Sequence, residues 1–495
     1  MKKTFSLLAL ALIAGLAFGC EKKLVGRKLA SGLAQRLTVH KNSVAFLLDA
    51  AHPDEPGVPQ DLFIGDLWAG SLDKPSVRVG SAVSSQPGSF DFSPDGQVIA
   101  YIARYRFRDG KGELWATHVG PGVPEQVGRE VSSFAWSPKY SALAFVAPDT
   151  LSIRGAFELH LPGIQNIAWS PDGLLIAARA STASGGALWL VEAKYGTVRK
   201  VGAGITDFAF SSKNILTFLG PPGPKGGDRP LFVDGLESGT ATAFQYSPDG
   251  TQLATLSTSK QPGEATGDLY KMPVGALGAP VLVATKVSDW RWSSTGELMG
   301  LARFDLRARA GTLTISGDGP PREVAPKVQA FTAFGKRVLY LVQAPQKGDY
   351  KLELWSLDLS SPANAPKKID DGVYGWDIAD GNLLYKARCS GGPRACSLLR
   401  VPLDGSTAPE MVAADVAGFD ISADGSRVLV QQPHHGSSKS VDLVVVPIGN
   451  VQKERLKIAI EEADPSARFS DESGKRVVFA TPAKEIQGVY VADVP

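Results

Sequence analysis

The sequence has no excess of charge of either sign. Its 52 Lys and Arg face 50 Asp and Glu, and Lys2 and Lys3 account for the formal charge of +2. The rest of the chain is neutral and lacks the basic excess of a nucleic-acid binder. Long hydrophobic runs are missing too. The best candidate, Phe5 to Phe18, is too short to span a bilayer comfortably. No stretch makes a defensible helix. Val451 to Asp464 is charged enough to tempt one, but Leu456, Ile458 and Ile460 alternate as in a strand. Histidine is sparse: His40, His52, His118, His160, His434 and His435. Only the adjacent His434 and His435 pair, and neighbours on a strand point to opposite faces, a poor chelate. A Gly-x-Ser-x-Gly elbow, a P-loop and a Gly-x-Gly-x-x-Gly after a strand are all absent. No catalytic, cofactor-binding or metal residue is therefore expected.

What the sequence has is a repeat. Phe90-Asp91-Phe92 puts two aromatics on one strand face, and Ser93-Pro94-Asp95-Gly96 then turns the chain into the apolar run 97–102. Clear copies stand at 167–173 and 244–250, and good ones at 290–296 and 419–425. Degenerate copies stand at 134–138, 208–212, 376–381 and 469–474, with the weakest at 331–335 and 37–43. The turn glycines fall at 96, 173, 250, 296, 335, 381, 425 and 474. A degenerate copy splits each of the two 77-residue steps, so the period is near 40, the length of a four-stranded β-propeller blade. The expected fold is all-β, a β-propeller. Eleven repeats exceed the usual 4 to 8 blades of one ring, so two tandem propellers are expected.

A second signature keeps phase with the first. Leu67-Trp68, Leu114-Trp115, Leu188-Trp189, Leu269-Tyr270 and Leu354-Trp355 each open a further strand. The last four aromatics lie 19, 16, 20 and 20 residues after a turn glycine. Two motifs locked at one offset rarely arise by chance. Together they resemble the TolB-type β-propeller repeat across nearly the whole chain. That resemblance implies the fold and leaves the function open, because many activities use such propellers. Prolyl-oligopeptidase-like enzymes join a propeller to an α/β domain, and no such domain follows here. The Ser-Pro-Asp-Gly turn also differs from the sialidase Asp-box, which has one residue between Asp and Gly.

Residues 1–20 read as a targeting segment. Its end, Leu16-Ala17-Phe18-Gly19-Cys20, resembles the lipobox of bacterial lipoproteins, which implies acylation of Cys20. Phe18 is bulkier than usual there. Glu21, in place of Asp, favours the outer membrane. Residues 21–36 are expected as a tether, 37–270 as a first propeller and 271–495 as a second, with the boundary somewhere in 255–290. A strand such as Leu33 to Val39 is a candidate for completing a ring. Cys389 and Cys396 are expected to form a disulfide in an exported chain, worth roughly 2.5 kcal/mol.

The residue between the paired aromatics is Asp91, Gln245, Arg291, Asp377 or Asp420 in several copies. These polar groups are expected to form a satisfied network between blades, or a polar site near the central channel. Arg104, Arg106 and Arg108 alternate with Tyr105 and Phe107, giving a solvated face or a patch for an acidic partner. The expectation for function is a non-catalytic cell-envelope lipoprotein. It would be exported, membrane-anchored through Cys20 and placed at the periplasmic face of the outer membrane or the cell surface. Its partners would be envelope or periplasmic proteins and not nucleic acid. The alternative is a propeller enzyme or a ligand- or carbohydrate-binding module.

Overall fold

A computed structural model describes residues 26–494, apart from 183–184, 224–226, 259–265, 276–278, 345–350, 362, 380, 391–394, 434–439, 449–455, 462–466, 471–473 and 482–486. Cys20 and the pair His434–His435 lie outside the described residues. Every regular element in the described residues is a β-strand. The strands form antiparallel four-stranded meanders, each a propeller blade. Nine meanders are separate sheets built from consecutive or terminally joined strands. One seven-stranded sheet holds two more blades, because Arg322–Phe334 serves as the last strand of one and the first of the next. That strand turns at Pro326-Lys327, where Lys327 has φ 56°. Eleven blades result, numbered here in chain order from blade 1 (34–84) to blade 11 (468–493).

The repeat chemistry explains each blade. In blade 2 the Ser93 hydroxyl donates to Asp95 at 2.6 Å and accepts the Val98 amide at 3.0 Å. The Gly96 amide closes the turn on the Ser93 carbonyl at 2.8 Å, with φ 75°. The same bonds recur around Ser170, Ser247 and Ser422. These serines are almost wholly buried, so their hydroxyls need such partners. Downstream, the Leu of each Leu-aromatic pair is fully buried: Leu67, Leu114, Leu188, Leu269 and Leu354.

Blades pack face to face through shared apolar cores. Each core joins one blade to the next, from Phe90 and Tyr101 of blade 2 against Leu47 and Leu67 of blade 1 onward. The core of Ala254, Leu269 and Val287 with Trp292 and Leu298 joins blades 6 and 7, across the stretch where the sequence places a boundary. Residue 271 itself lies within the strand Gly267–Pro273 of blade 6. The last core joins blade 11 to blade 1, with Leu29, Val478 and Val491 against Leu37, Phe46 and Leu48.

The N-terminal region departs from the expected tether. Arg27–Ala30 is a strand and pairs antiparallel with Gly488–Asp493, with Arg27 opposite Val491. It is the outer strand that blade 11 lacks. Residues 33–39 do not play that part, because Ala34–His40 is the first strand of blade 1. The last blade thus takes its fourth strand from the N-terminal region, so that Gly488–Asp493 is paired on both sides.

Candidate functional site

First strands of neighbouring blades come close to one another. The Trp136 indole donates to the Asp91 carbonyl at 3.3 Å, Trp169 to Ala135 at 3.1 Å and Trp292 to Gln245 at 3.2 Å. Each indole donates to a carbonyl of the preceding blade's first strand, tying neighbouring blades together. These tryptophans are structural bridges, half-buried or nearly buried.

The polar residues between the aromatics project from these inner strands and are not sealed between blades. Asp91 and Asp377 are exposed. Their carboxylates accept the amides of Phe92 and Ile378, each at 2.8 Å. Asp420 accepts the Phe469 amide of the next blade at 3.3 Å. Arg291 pairs with Asp289 at 2.8 Å and lies 4.8 Å over the Phe331 ring. A single network linking them is not what forms; each is satisfied locally. Although Asp91 reaches solvent, the protein packed around its carboxylate thins the surrounding water and raises its pKa, opposed by the Phe92 amide and by His40 and Arg36. Burial also raises that of Asp420, opposed by the Phe469 amide.

One cavity, of about 1130 Å³, opens on the inner strands of blades 10, 11 and 1. Its wall includes His40, Lys41, Phe419, Asp420, Arg468 and Phe469. Two of these side chains are already engaged: the Lys41 ammonium donates to the Pro94 carbonyl at 2.7 Å, and the His40 ring nitrogen lies 3.2 Å from the same oxygen. His40 also stacks on Phe92. Mixed charge on an open apolar wall suits a polar ligand or a side chain from a partner. Among the described residues, no group of three or more His, Cys, Asp or Glu is placed to hold a metal.

Three arginines offered as a patch are occupied by the chain's own acids. Arg104 pairs with Glu113 at 2.9 Å, Arg106 with Asp109 and Glu130 at 2.8 and 2.5 Å, and Arg108 with Glu55 at 3.2 Å. Cys389 and Cys396 are joined by a disulfide, at the base of the hairpin between the second and third strands of blade 9.

The blade cores leave two different rims. First strands end, and fourth strands begin, at one rim, where the turns between strands one and two are two to six residues long and those between strands three and four two to eight. The hairpins between strands two and three lie on the opposite rim. Seven of them are six to twelve residues long, including 52–63 in blade 1 and 220–228 in blade 5. Sequence reasoning found the tight turns from their Ser-Pro-Asp-Gly signature. It missed the cavity, which no local pattern marks, because it arises where the two ends of the chain meet.

The turn carboxylates also set an acid limit. Bonds from Ser93 and the Gln97 amide lower the Asp95 pKa. Those from Ser247 and Thr251 bring Asp249 to about 2. A lowered folded pKa stabilises above the unfolded value of about 4 and loses that stability as pH falls through the folded one. Asp91 and Asp420, with raised pKa values, act in the opposite sense but are fewer than the turn aspartates. The melting temperature should fall steeply from pH ~4 towards ~2. Asp249→Asn should lower it at pH 7 and make that acid slope shallower. An unchanged slope in the variant would exclude Asp249 as a source.

No protein-family model matches the chain, and no curated protein matches it. Solved structures do. A eukaryotic initiation factor is similar at 11% identity and TM-score 0.41, covering 80% of this chain and 94% of that one. The tricorn protease is similar at 13% and 0.28, covering 93% of this chain and 48% of that one. A prolyl endopeptidase is similar at 11% and 0.34, covering 80% and 55%. At such identities and scores no activity passes from them to this chain, whose assignment as an all-β chain of eleven propeller blades rests on its own sheets.

Proposed function

We propose that this chain is a non-catalytic lipoprotein of the bacterial cell envelope, a TolB-type propeller protein that holds other proteins. It is exported, acylated at Cys20 and kept at the periplasmic face of the outer membrane or at the cell surface. The disulfide Cys389–Cys396 forms in that oxidising compartment. The observation that carries the reading is the asymmetry of the rims. Short, internally bonded one-to-two turns stand at one rim beside three-to-four turns of two to eight residues, whereas seven of the eleven hairpins at the other rim are six to twelve residues long, the longest being 52–63. Loops presented by a rigid scaffold suit recognition of broad protein surfaces. A neutral chain docks through shape and apolar contact more than through long-range steering.

Cross-linking in the native envelope followed by affinity capture tests the partner. A discrete protein adduct is expected, and a protein that never yields one would contradict the scaffold. The anchor has its own test: a fatty-acid analogue should label the native protein, and Cys20→Ser should abolish the label. A labelled Cys20→Ser protein would refute acylation at that residue. A second reading has one specific observation behind it, the cavity beside Asp420 and Arg468. It would make the protein a binding module for a polar ligand, and loss of function in Asp420→Ala with loops intact would favour it.

A further inference from the structure

The exposed large apolar side chains are not spread evenly over the blades. Thirteen are found among the described residues. Three, Leu33, Leu306 and Tyr374, sit on the rim of long hairpins. The other ten sit in the turns of the opposite rim or at strand residues adjoining it. They are densest on blades 2 to 5, where Val123 is 92% exposed, Tyr195 69% and Leu236 63%, with Tyr140 and Leu174 at 52% each. Exposed Lys139, Lys194 and Lys213 stand among them. The nearby acids Asp172, Glu192, Asp234 and Glu237 offset that charge while exposed Arg199 and Lys200 add to it, and Asp172 is already bonded to Ser170 and the Leu174 amide.

The described chain starts at this same rim. Arg27 opens the outer strand of blade 11, and its guanidinium donates to the Leu72 carbonyl in the third-to-fourth turn of blade 1. The amide of Ser76, just before that blade's fourth strand, donates to the Leu29 carbonyl at 2.9 Å. From Cys20 to Gly26 are six residues, which reach at most about 21 Å even fully extended.

We propose that the turn rim is a membrane-contact surface, laid on anionic phospholipid, so that the long hairpins point away from the bilayer. The orientation rests on acylation of Cys20, whose short link leaves this rim the nearer one. The apolar and tyrosine side chains enter the interface, where an aromatic ring with a polar tip is favoured. The lysines meet phosphate groups. An acyl anchor and a surface patch then act as two signals.

The test uses the processed chain, residues 20–495 with Cys20→Ser, which carries neither an acyl anchor nor the apolar segment Phe5 to Phe18, and vesicles of phosphatidylethanolamine containing phosphatidylglycerol. Tyr140→Ser with Leu174→Ser and Tyr195→Ser should lower vesicle partitioning about tenfold or more. Leu33→Ser with Leu306→Ser and Tyr374→Ser should leave it unchanged. Hydrogen exchange on the reconstituted native protein should show slowing at 138–141, 172–174 and 194–198 and none at 306–309 or 374. No partitioning, equal loss from both triple variants, or slowing confined to 306–309 and 374 would overturn the proposal. Capture of a protein on the turn rim, without vesicle binding, would assign that rim to a protein partner and overturn it as well. If acyl labelling fails while the vesicle result holds, the anchor is refuted and the surface stands. If labelling holds and vesicle binding fails, the surface is refuted and the lipoprotein stands.

Discussion

Leu29→Asp is expected to cost about 4 kcal/mol or more and to give an early step in the melting curve. Leu29 is only 2% exposed and packs with Val478, Val489 and Val491 against Leu37, Phe46 and Leu48. A carboxylate there would be a buried charge without a partner. The strand carrying it is four residues long, so little else holds it to Gly488–Asp493. Once it detaches, that strand becomes an open edge able to pair with another chain. Concentration-dependent aggregation should therefore accompany the early step. Leu29→Ala should cost about 3 kcal/mol through the cavity alone, without the aggregation. Leu33→Ser, at an exposed neighbouring position, should melt like the parent. A Leu29→Asp protein that melts normally would show that the closing strand does not stabilise the blades.

Gly163→Ala is expected to cost about 3 kcal/mol or more, the second-largest effect of a single change. Gly163 has φ 72°, where an L side chain is strained. An added Cβ would stand 2.1 Å from the Ser181 carbonyl oxygen, a backbone atom. The Gly163 carbonyl accepts the Ser181 amide at 2.7 Å, so relief of the clash breaks that bond. Gly235→Ala separates the two terms. Its φ is 80°, but nothing lies within 4 Å of the new Cβ. It should cost about 1 kcal/mol, the strain alone. Denaturant unfolding of the two variants checks the difference, and equal costs would mean that the close approach is absent in solution.

Much of the fold is legible because its signals are local. Ser93, Pro94, Asp95 and Gly96 make their turn with their own atoms, and the copies at 170–173 and 247–250 do the same. The fully buried leucines of the Leu-aromatic pairs follow from alternation in a third strand. The closing strand is not legible. Arg27-Lys28-Leu29-Ala30 is short and half charged, and its partner at Val491 lies at the far end of the chain. The shared strand Arg322–Phe334 hides for another reason: one bend at Pro326-Lys327 lets a single run serve two blades.

Candidate-site residues divide in the same way. The exposure of Asp91 and Asp377 depends on which strand edge faces the centre, which alternation along one strand does not reveal. Arg104, Arg106 and Arg108 read as a solvated face or a patch for an acidic partner until Glu113, Asp109, Glu130 and Glu55 come beside them in space. The rim asymmetry of exposed apolar residues needs the direction of every strand before it can be seen.

The central claim is that the long hairpin rim holds a protein partner while the inner strands are structural. Cross-linking in the native envelope, compared across two sets of variants, tests it most directly. One set replaces 52–63 with a short turn. The other combines Asp91→Ala with Asp420→Ala. The account predicts that the partner adduct disappears in the hairpin variant and persists in the inner-strand variant, with both proteins melting as folded chains. An adduct that survives the hairpin change, together with function lost through Asp91 and Asp420 in a folded protein, would contradict it and place the activity in the central cavity.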